Sequence, residues 1–331
     1  MLVFFAISGF ILFITLTLWS KMVNTSGLEW NWLSNVAAGT HRKVAVVTGG
    51  GSGMGYEAAM DLASREARVI IASRNATKLE AARDEIRRST GNQNVDFKVL
   101  NLESFQSVRS FSNEMAQETR LDMLVNNAGG YGLPDIHTED GLSLMMQVNY
   151  FGPFLLTYLL LPLIKSSAPS RIINSSAISM YFGSIDFDHW NDLGRYSPPI
   201  ASGNAKLATF IATAEWDRRL KGSKVAVNSF DPFFVRDTDI TKNQTEGLRN
   251  FSNVFLSIFG LPRKDVGQQI AYYASATEVE NISGEHYNFC YIAPRHWILK
   301  DIDLRKRLWK ETKIIVGITH EEDWEDTPKH F

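Results

Sequence analysis

A run of apolar residues that stops abruptly in glycine limits this chain more than any other feature. KVAVVTGGGSGMG spans Lys43 to Gly55, and YEAAMDLASREA follows with helical spacing. A strand without a polar face belongs inside a parallel sheet covered on both sides. The same alternation then recurs. RVIIASR, VDFKVLNL, LDMLVNNAG, SRIINSS and KVAVNSFDP each read as a strand, separated by helical stretches such as ATKLEAARDEIRRS, and EHYNFCY holds a last short strand. Strands alternating with helices predict an α/β fold with a doubly wound parallel sheet in a single domain, residues 41–293.

The glycines say what such a sheet carries. Gly49, Gly53 and Gly55 stand at T-G-x-x-x-G-x-G spacing, after the first strand and before the first helix. Glycine lets the backbone turn tightly and approach a pyrophosphate, whose charge then meets the helix N-terminus. Thr48, Gly49, Ser52, Gly53, Met54 and Gly55 are therefore candidate dinucleotide contacts in a Rossmann-type domain. A tight turn without ligand is the plainer alternative. The second strand ends in IASRN, with Ser73 and Arg74 and no acid. A guanidinium matches a 2′-phosphate, so NADP(H) is expected ahead of NAD(H). The alternative for Arg74 is a solvated loop-edge side chain.

Residues 1–20 differ in kind. Met1 to Trp19 contains no charged side chain, and Lys21 comes soon after. About 20 apolar residues cross a bilayer core, so this segment is expected to be a transmembrane anchor. A cleaved signal peptide is the competitor, but a basic start and a small-residue cleavage site are not evident. Lys21, His41, Arg42 and Lys43 favour a cytosolic position for the domain on the C-terminal side of the anchor. Residues 21–40 read as a linker and residues 294–331 as a charged extension, partly helical, structural or solvated.

The remaining composition excludes more than it proposes. A net charge of −2 gives no electrostatic reason to expect nucleic acid. The single cysteine, Cys290, cannot form an internal disulfide, and the histidines lack metal-binding spacing.

Taken together, TGGGSGMG, NNAG (Asn126–Gly129), VNYFGPFLLT (Val148–Thr157) and RIINSSA resemble the short-chain dehydrogenase/reductase family. LNLESFQSVRSF, NYFGPFLLTYLLLP and KLATFI are similar to its retinol dehydrogenase branch, and RYSPPIASGNAKLA with LWKET to members acting on polyisoprenoid alcohols. The resemblance implies hydride transfer between a nicotinamide and a lipophilic alcohol or carbonyl, whether retinoid, steroid or polyisoprenoid. It also implies anchorage in the endoplasmic reticulum membrane with the domain facing the cytosol. It assigns Asn101, Leu102, Asn127, Ala128, Gly129, Lys206, Pro232 and Val235 to the cofactor. Asn149 would support a water relay, Ser176 (Ser175 being the alternative) would bond the substrate oxygen, and Lys206 would hold the ribose. FGPFLLTYLLLPLI is too short to span a membrane. It reads as a buried helix, and a homodimer is one assembly the family offers there. NFSNVFLSIFGLP lies where relatives carry a substrate lid; lining a pocket, touching a bilayer and packing on the core all remain open.

Three departures stand against that resemblance. The family's proton-donating tyrosine, four residues before the lysine, maps onto Ser202. Serine lacks the ring's reach, and its proton is far harder to remove than a phenol's, whose pKa is about 10. A water held by Ser202 and Lys206 is the first substitute; Tyr181 and Tyr196 are weaker ones. Phe233 stands where relatives have glycine, and Asp237 where they have threonine, with Thr238 one step late. A homologue that binds cofactor but has lost catalysis, acting as a binding or scaffold protein, is therefore the alternative function.

Overall fold

The strands form where the apolar runs stand. A computed structural model describes residues 40–238, 246–288 and 290–325, so the expected anchor and nearly all of the linker lie outside the described residues. β1 (Val44–Thr48), β2 (Arg68–Ser73), β3 (Val95–Val99), β4 (Met123–Asn126), β5 (Ser170–Ser175), β6 (Val225–Asp231), β9 (His286–Asn288) and β10 (Tyr291–Ile292) make one sheet. Its order is β10-β9-β6-β5-β4-β1-β2-β3, parallel except for the antiparallel β10–β9 edge. The strand order reverses between β1 and β4, the crevice at which open α/β sheets bind ligands. A second small pair, β7 (Val235–Arg236) and β8 (Leu261–Pro262), ties together the two ends of the segment beyond β6.

Helices cover both faces. They are α1 (Gly53–Ser64), α2 (Ala76–Thr90), α3 (Phe105–Met115), α4 (Gly152–Ser166), α5 (Pro198–Arg219), α6 (Glu246–Phe259), α7 (Arg263–Ser275) and α8 (Ile302–Ile315). Leu144–Ser166, which includes α4, is apolar enough to cross a membrane, but 83% of its apolar 18-residue stretch is buried inside the protein, so it is a core helix. α5 begins at Pro198, as the Ser-Pro-Pro sequence predicts, yet Ser197 at its N-cap makes no side-chain capping bond. Proline in the first turn removes an N–H that would otherwise need a partner, which lessens the need for one.

The C-terminal extension is neither solvated nor separate. Leu308, Trp309 and Val316 lie in the main hydrophobic core. Trp309 packs its ring 4.5 Å from Trp216, 5.0 Å from Phe154 and 6.1 Å from Tyr158. Trp324 adds a contact with Tyr158 at 5.4 Å. Charges fasten the same segment: Arg109 pairs with Glu322 at 2.8 Å, Lys313 with Asp323 at 2.5 Å, and Arg219 with Glu325. Burial alone would raise the Glu215 carboxyl, but Arg218, Arg219 and Arg305 hold it below its usual range. The side of α4 that carries Phe154 and Tyr158 is thus covered by the chain's own C-terminal segment.

Candidate active site

The glycine turn is built by exclusion. Gly49 and Gly53 adopt positive φ, +70° and +61°, which glycine alone takes without strain. A Cβ on Gly49 would stand 2.8 Å from the Asn127 amide nitrogen, and one on Gly55 would run into that same amide and the Gly49 carbonyl. Asn127 is held this close by donating from Nδ2 to the Thr48 carbonyl at 2.9 Å. Its own N–H and that of Ala128 donate to the Thr48 hydroxyl at 3.0 and 2.9 Å. The first and fourth strand ends are thereby locked into one rigid cradle opening at the N-terminus of α1. The hydroxyl of Ser52, at that helix's N-cap, makes no capping bond. Among the described residues, Asn127 Oδ1 is buried without a partner. A cradle that side chains cannot enter suits an anionic pyrophosphate, while the left-over oxygen, an acceptor only, suits a donor such as a ribose hydroxyl.

Beyond the cradle the site narrows onto Lys206. Asn149 lies in a π-helical turn, Gln147–Phe151, a distortion common at functional sites. Its amide donates to the Gly130 carbonyl at 3.0 Å and accepts from the Gly130 N–H at 3.1 Å. A Cβ on Gly129 would meet Asn149 Oδ1 at 2.7 Å and Lys206 Nζ at 3.2 Å, so the NNAG backbone passes directly beside the ammonium. Lys206 is 8% exposed and donates to the Ser175 carbonyl at 2.9 Å. Burial pushes its ammonium down to about 8, with the Asp231 carboxylate opposing the shift. Burial pushes Asp231 up to about 7, against the Phe233 N–H and Lys206.

The hydroxyls do not sit as the family resemblance implies. Ser176 is fully buried, and its Oγ donates to the Lys206 carbonyl at 3.1 Å. Ser175 is buried too, 3.4 Å from the Ser176 carbonyl. The reason is register: Asn174 stands opposite Asn126 and bonds to it, which fixes where the serines fall. Ser202 is 3% exposed, and its Oγ lies 3.4 Å from that of Ser179. Sequence reasoning missed Ser179. Its segment rests on α5 through Gly183 and Gly203, where a Cβ on Gly203 would stand 2.5 Å from the Ser179 carbonyl. Gly183 and Gly203, which meet at this contact, were the available signal. The Tyr196 hydroxyl donates instead to Asp186 at 3.0 Å. Tyr181 is half exposed, its ring 5.6 Å from His296, and its phenol is raised by burial and then by Asp231.

At the far rim, Phe233 is left-handed, φ +56°. That conformation costs a non-glycine residue about 1–2 kcal/mol. Asp237 is likewise left-handed and turns outward, 70% exposed and 3.8 Å from Arg236. Thr238, not Asp237, is the residue over the cradle: its methyl would lie 3.7 Å from a Cβ on Gly53. The anion expected near a pyrophosphate is thus averted by a backbone turn. Pro232 is part-buried, and buried Val235 anchors the rim through β7. Ser73 ends β2 opposite Val99, two residues before Asn101, and Arg74 follows it; Arg74 pairs with Glu103, a partner the sequence did not disclose. In the expected lid, α6 exposes Val254 and Ile258 while Phe255 packs 5.4 Å from Phe234.

A family model described as short chain dehydrogenase matches residues 43–249. The chain belongs to the short-chain dehydrogenase family. Among curated relatives of this oxidoreductase family, retinol dehydrogenase 13 of Homo sapiens is 38% identical over 83% of this chain and 85% of its own length. Retinol dehydrogenase 11 of Mus musculus is 37% identical over 83% and 87%. Of solved structures, a protein from Mycobacterium paratuberculosis superposes with a TM-score of 0.66 at 28% identity, covering 86% of this chain and 97% of that one. A short chain dehydrogenase from Shigella flexneri, complexed with NADP, shares the fold at a TM-score of 0.60 and 20% identity, covering 76% and 98%. The dehydrogenase fold thus accounts for the cradle, the NNAG lock and the buried lysine. It leaves Ser202, Phe233 and Asp237 as this chain's own features.

Proposed function

We propose that this protein is a membrane-anchored, NADP(H)-dependent oxidoreductase that interconverts a lipophilic alcohol and its carbonyl. The observation that carries the proposal is the cradle excluded to side chains by Asn127 and leading directly to Lys206 Nζ. The retinol dehydrogenase names of the relatives support a retinoid or similar alcohol as substrate. The uncharged stretch Met1–Trp19 supports the anchor, and the flanking basic residues a cytosolic domain at the endoplasmic reticulum.

Thr48, Gly49, Ser52, Gly53, Met54 and Gly55 would hold the pyrophosphate. Ser73, Arg74, Asn101 and Leu102 would hold the adenosine end, and Asn127, Ala128, Gly129, Pro232, Val235 and Lys206 the nicotinamide end. A bound nicotinamide supplies or accepts the hydride. Lys206 supplies positive charge in a site shielded from water, where it acts more strongly than in solvent. Ser202 and Ser179 form a hydroxyl pair able to hold a water, and Lys206 would make that water more acidic. Asn149, fixed by Gly130, would support the proton path. Ser176 would act on the substrate oxygen only if its hydroxyl left the Lys206 carbonyl.

The missing phenol and the engaged Ser176 hydroxyl favour a second reading, a homologue that binds cofactor and has lost turnover. Losing one positioned acid lowers rate about 10²–10⁴-fold, which leaves room for a slow enzyme. Calorimetry with NADPH and NADH tests the common premise; silence with both would remove either reading. NADPH oxidation in detergent, against retinoid, steroid and isoprenoid carbonyls, then separates them. Turnover in the native chain supports the enzyme. Turnover only after Ser202→Tyr supports the degenerate homologue.

A further inference from the structure

β2 and β3 lie side by side, with Ser73 opposite Val99, so the residues just past both strands meet at one corner of the site. Arg74 comes from the first strand and Glu103 from the second. The loop carrying Glu103 is fixed: Asn101 Oδ1 accepts from the Glu103 N–H at 3.2 Å, and the Ser107 hydroxyl accepts from the Asn101 N–H at 3.0 Å. The Glu103 carboxylate is ion-paired with the Arg74 guanidinium. Both remain reachable from solvent, 58% of the Arg74 side chain and 30% of the Glu103 side chain being exposed. The corner adjoins the glycine turn, since a Cβ on Gly51 would lie 3.5 Å from the Ser73 hydroxyl.

We propose that Glu103 determines how strongly this protein prefers NADP(H) over NAD(H). It holds Arg74 as an internal counter-ion where a 2′-phosphate would otherwise bind. The proposal rests on the dinucleotide-binding function and deepens it. A 2′-phosphate seeks the same planar guanidinium fork that the carboxylate occupies. It must displace the carboxylate or lie against it, and like charges at that distance repel. A free 2′-hydroxyl has no charge and can donate to the carboxylate. One side chain thus weakens one cofactor and tolerates or favours the other, so selectivity comes from repulsion as much as attraction. Arg74 read alone predicts a strong NADP(H) preference; Arg74 with Glu103 predicts a blunted one.

The test is calorimetric binding of NADPH and of NADH to the full chain, in the native form, Glu103→Gln and Arg74→Ala. Glutamine keeps the shape and removes the charge. Glu103→Gln is expected to tighten NADPH roughly fivefold, the scale of an exposed ion pair. NADH should change less than twofold or weaken. Raising the salt concentration should shrink the NADPH gain. Unchanged or weaker NADPH binding in Glu103→Gln, while Arg74→Ala lowers the NADPH-to-NADH ratio, overturns the role of Glu103 alone. A ratio unmoved by Arg74→Ala overturns both this proposal and the placing of the phosphate at Arg74.

Discussion

The two ends of helix α5 are built to opposite rules. Its C-terminal half, with Glu215, Trp216 and Arg219, is sealed by the segment from Ile302 to Glu325 through packed rings and ion pairs. Its N-terminal half, with Ser202 and Lys206, borders the cradle and accumulates unfavourable features: a buried ammonium, a buried carboxylate and two left-handed non-glycine residues nearby. Strain and unpaired charge persist only where surrounding structure holds them, and they gather at working sites. The sealed half supplies that hold. Stability and function are therefore expected to separate along a single helix.

Trp309→Ala should break the sealed end first. Its ring is buried among Phe154, Trp216 and Tyr158 and lies beneath the Arg219 guanidinium, 4.3 Å away. A loss of about 3–5 kcal/mol in denaturant unfolding is expected. An unchanged midpoint would mean that the C-terminal segment does not fasten the helix. Lys206→Met should do the reverse. Dinucleotide affinity and any turnover should fall, turnover by about 10²-fold, while thermal stability holds or rises because a buried cation is gone. A parallel collapse of stability would erase the contrast.

The pH dependence sharpens the comparison. Lys206, lowered to about 8 in the folded protein, leaves the unfolded chain holding more protons above that pH, so stability should rise from about pH 8 toward 10.5. Asp231, raised to about 7, keeps its proton in the folded protein, so stability should fall as pH rises from about 4 to 7. The unfolding midpoint should thus dip between pH 7 and 8. Asp231→Asn should flatten the acid limb and Lys206→Met the alkaline one; identical profiles in all three proteins would refute the assignment. The smallest expected effect is Phe233→Gly. Relief of the left-handed backbone, about 1 kcal/mol, should offset lost ring contacts, leaving stability nearly level while dinucleotide binding tightens severalfold. Weaker binding would mean that the ring supports the pocket.

How far these regions could be read in advance also differs. The cradle was legible because glycine spacing is a local signal: Gly49, Gly53 and Gly55 need only their neighbours to explain them. Lys206 and Asn149 were legible through motif spacing. Ser179 beside Ser202, Glu103 on Arg74, and Thr238 in place of Asp237 were not, because each depends on two segments meeting in space. The charged tail stayed open between a structural and a solvated role for the same reason. Its lysines and acids look solvated one at a time, and only folding shows them paired with one another, with Arg109 of α3 and with Arg219 of α5.

The sequence by itself determined the parallel sheet, the order of its strands and helices, and the glycine turn after β1. Those arise from the period of apolar residues and from the conformations open to glycine, which act within a few residues. Only the tertiary structure decided that the segment up to Glu325 packs on α5, that Ser176 bonds a backbone carbonyl, and that Lys206 and Asp231 share a buried site. These depend on distances between segments far apart in the chain, where burial changes a group's charge and a one-residue shift in register turns a hydroxyl from solvent to core.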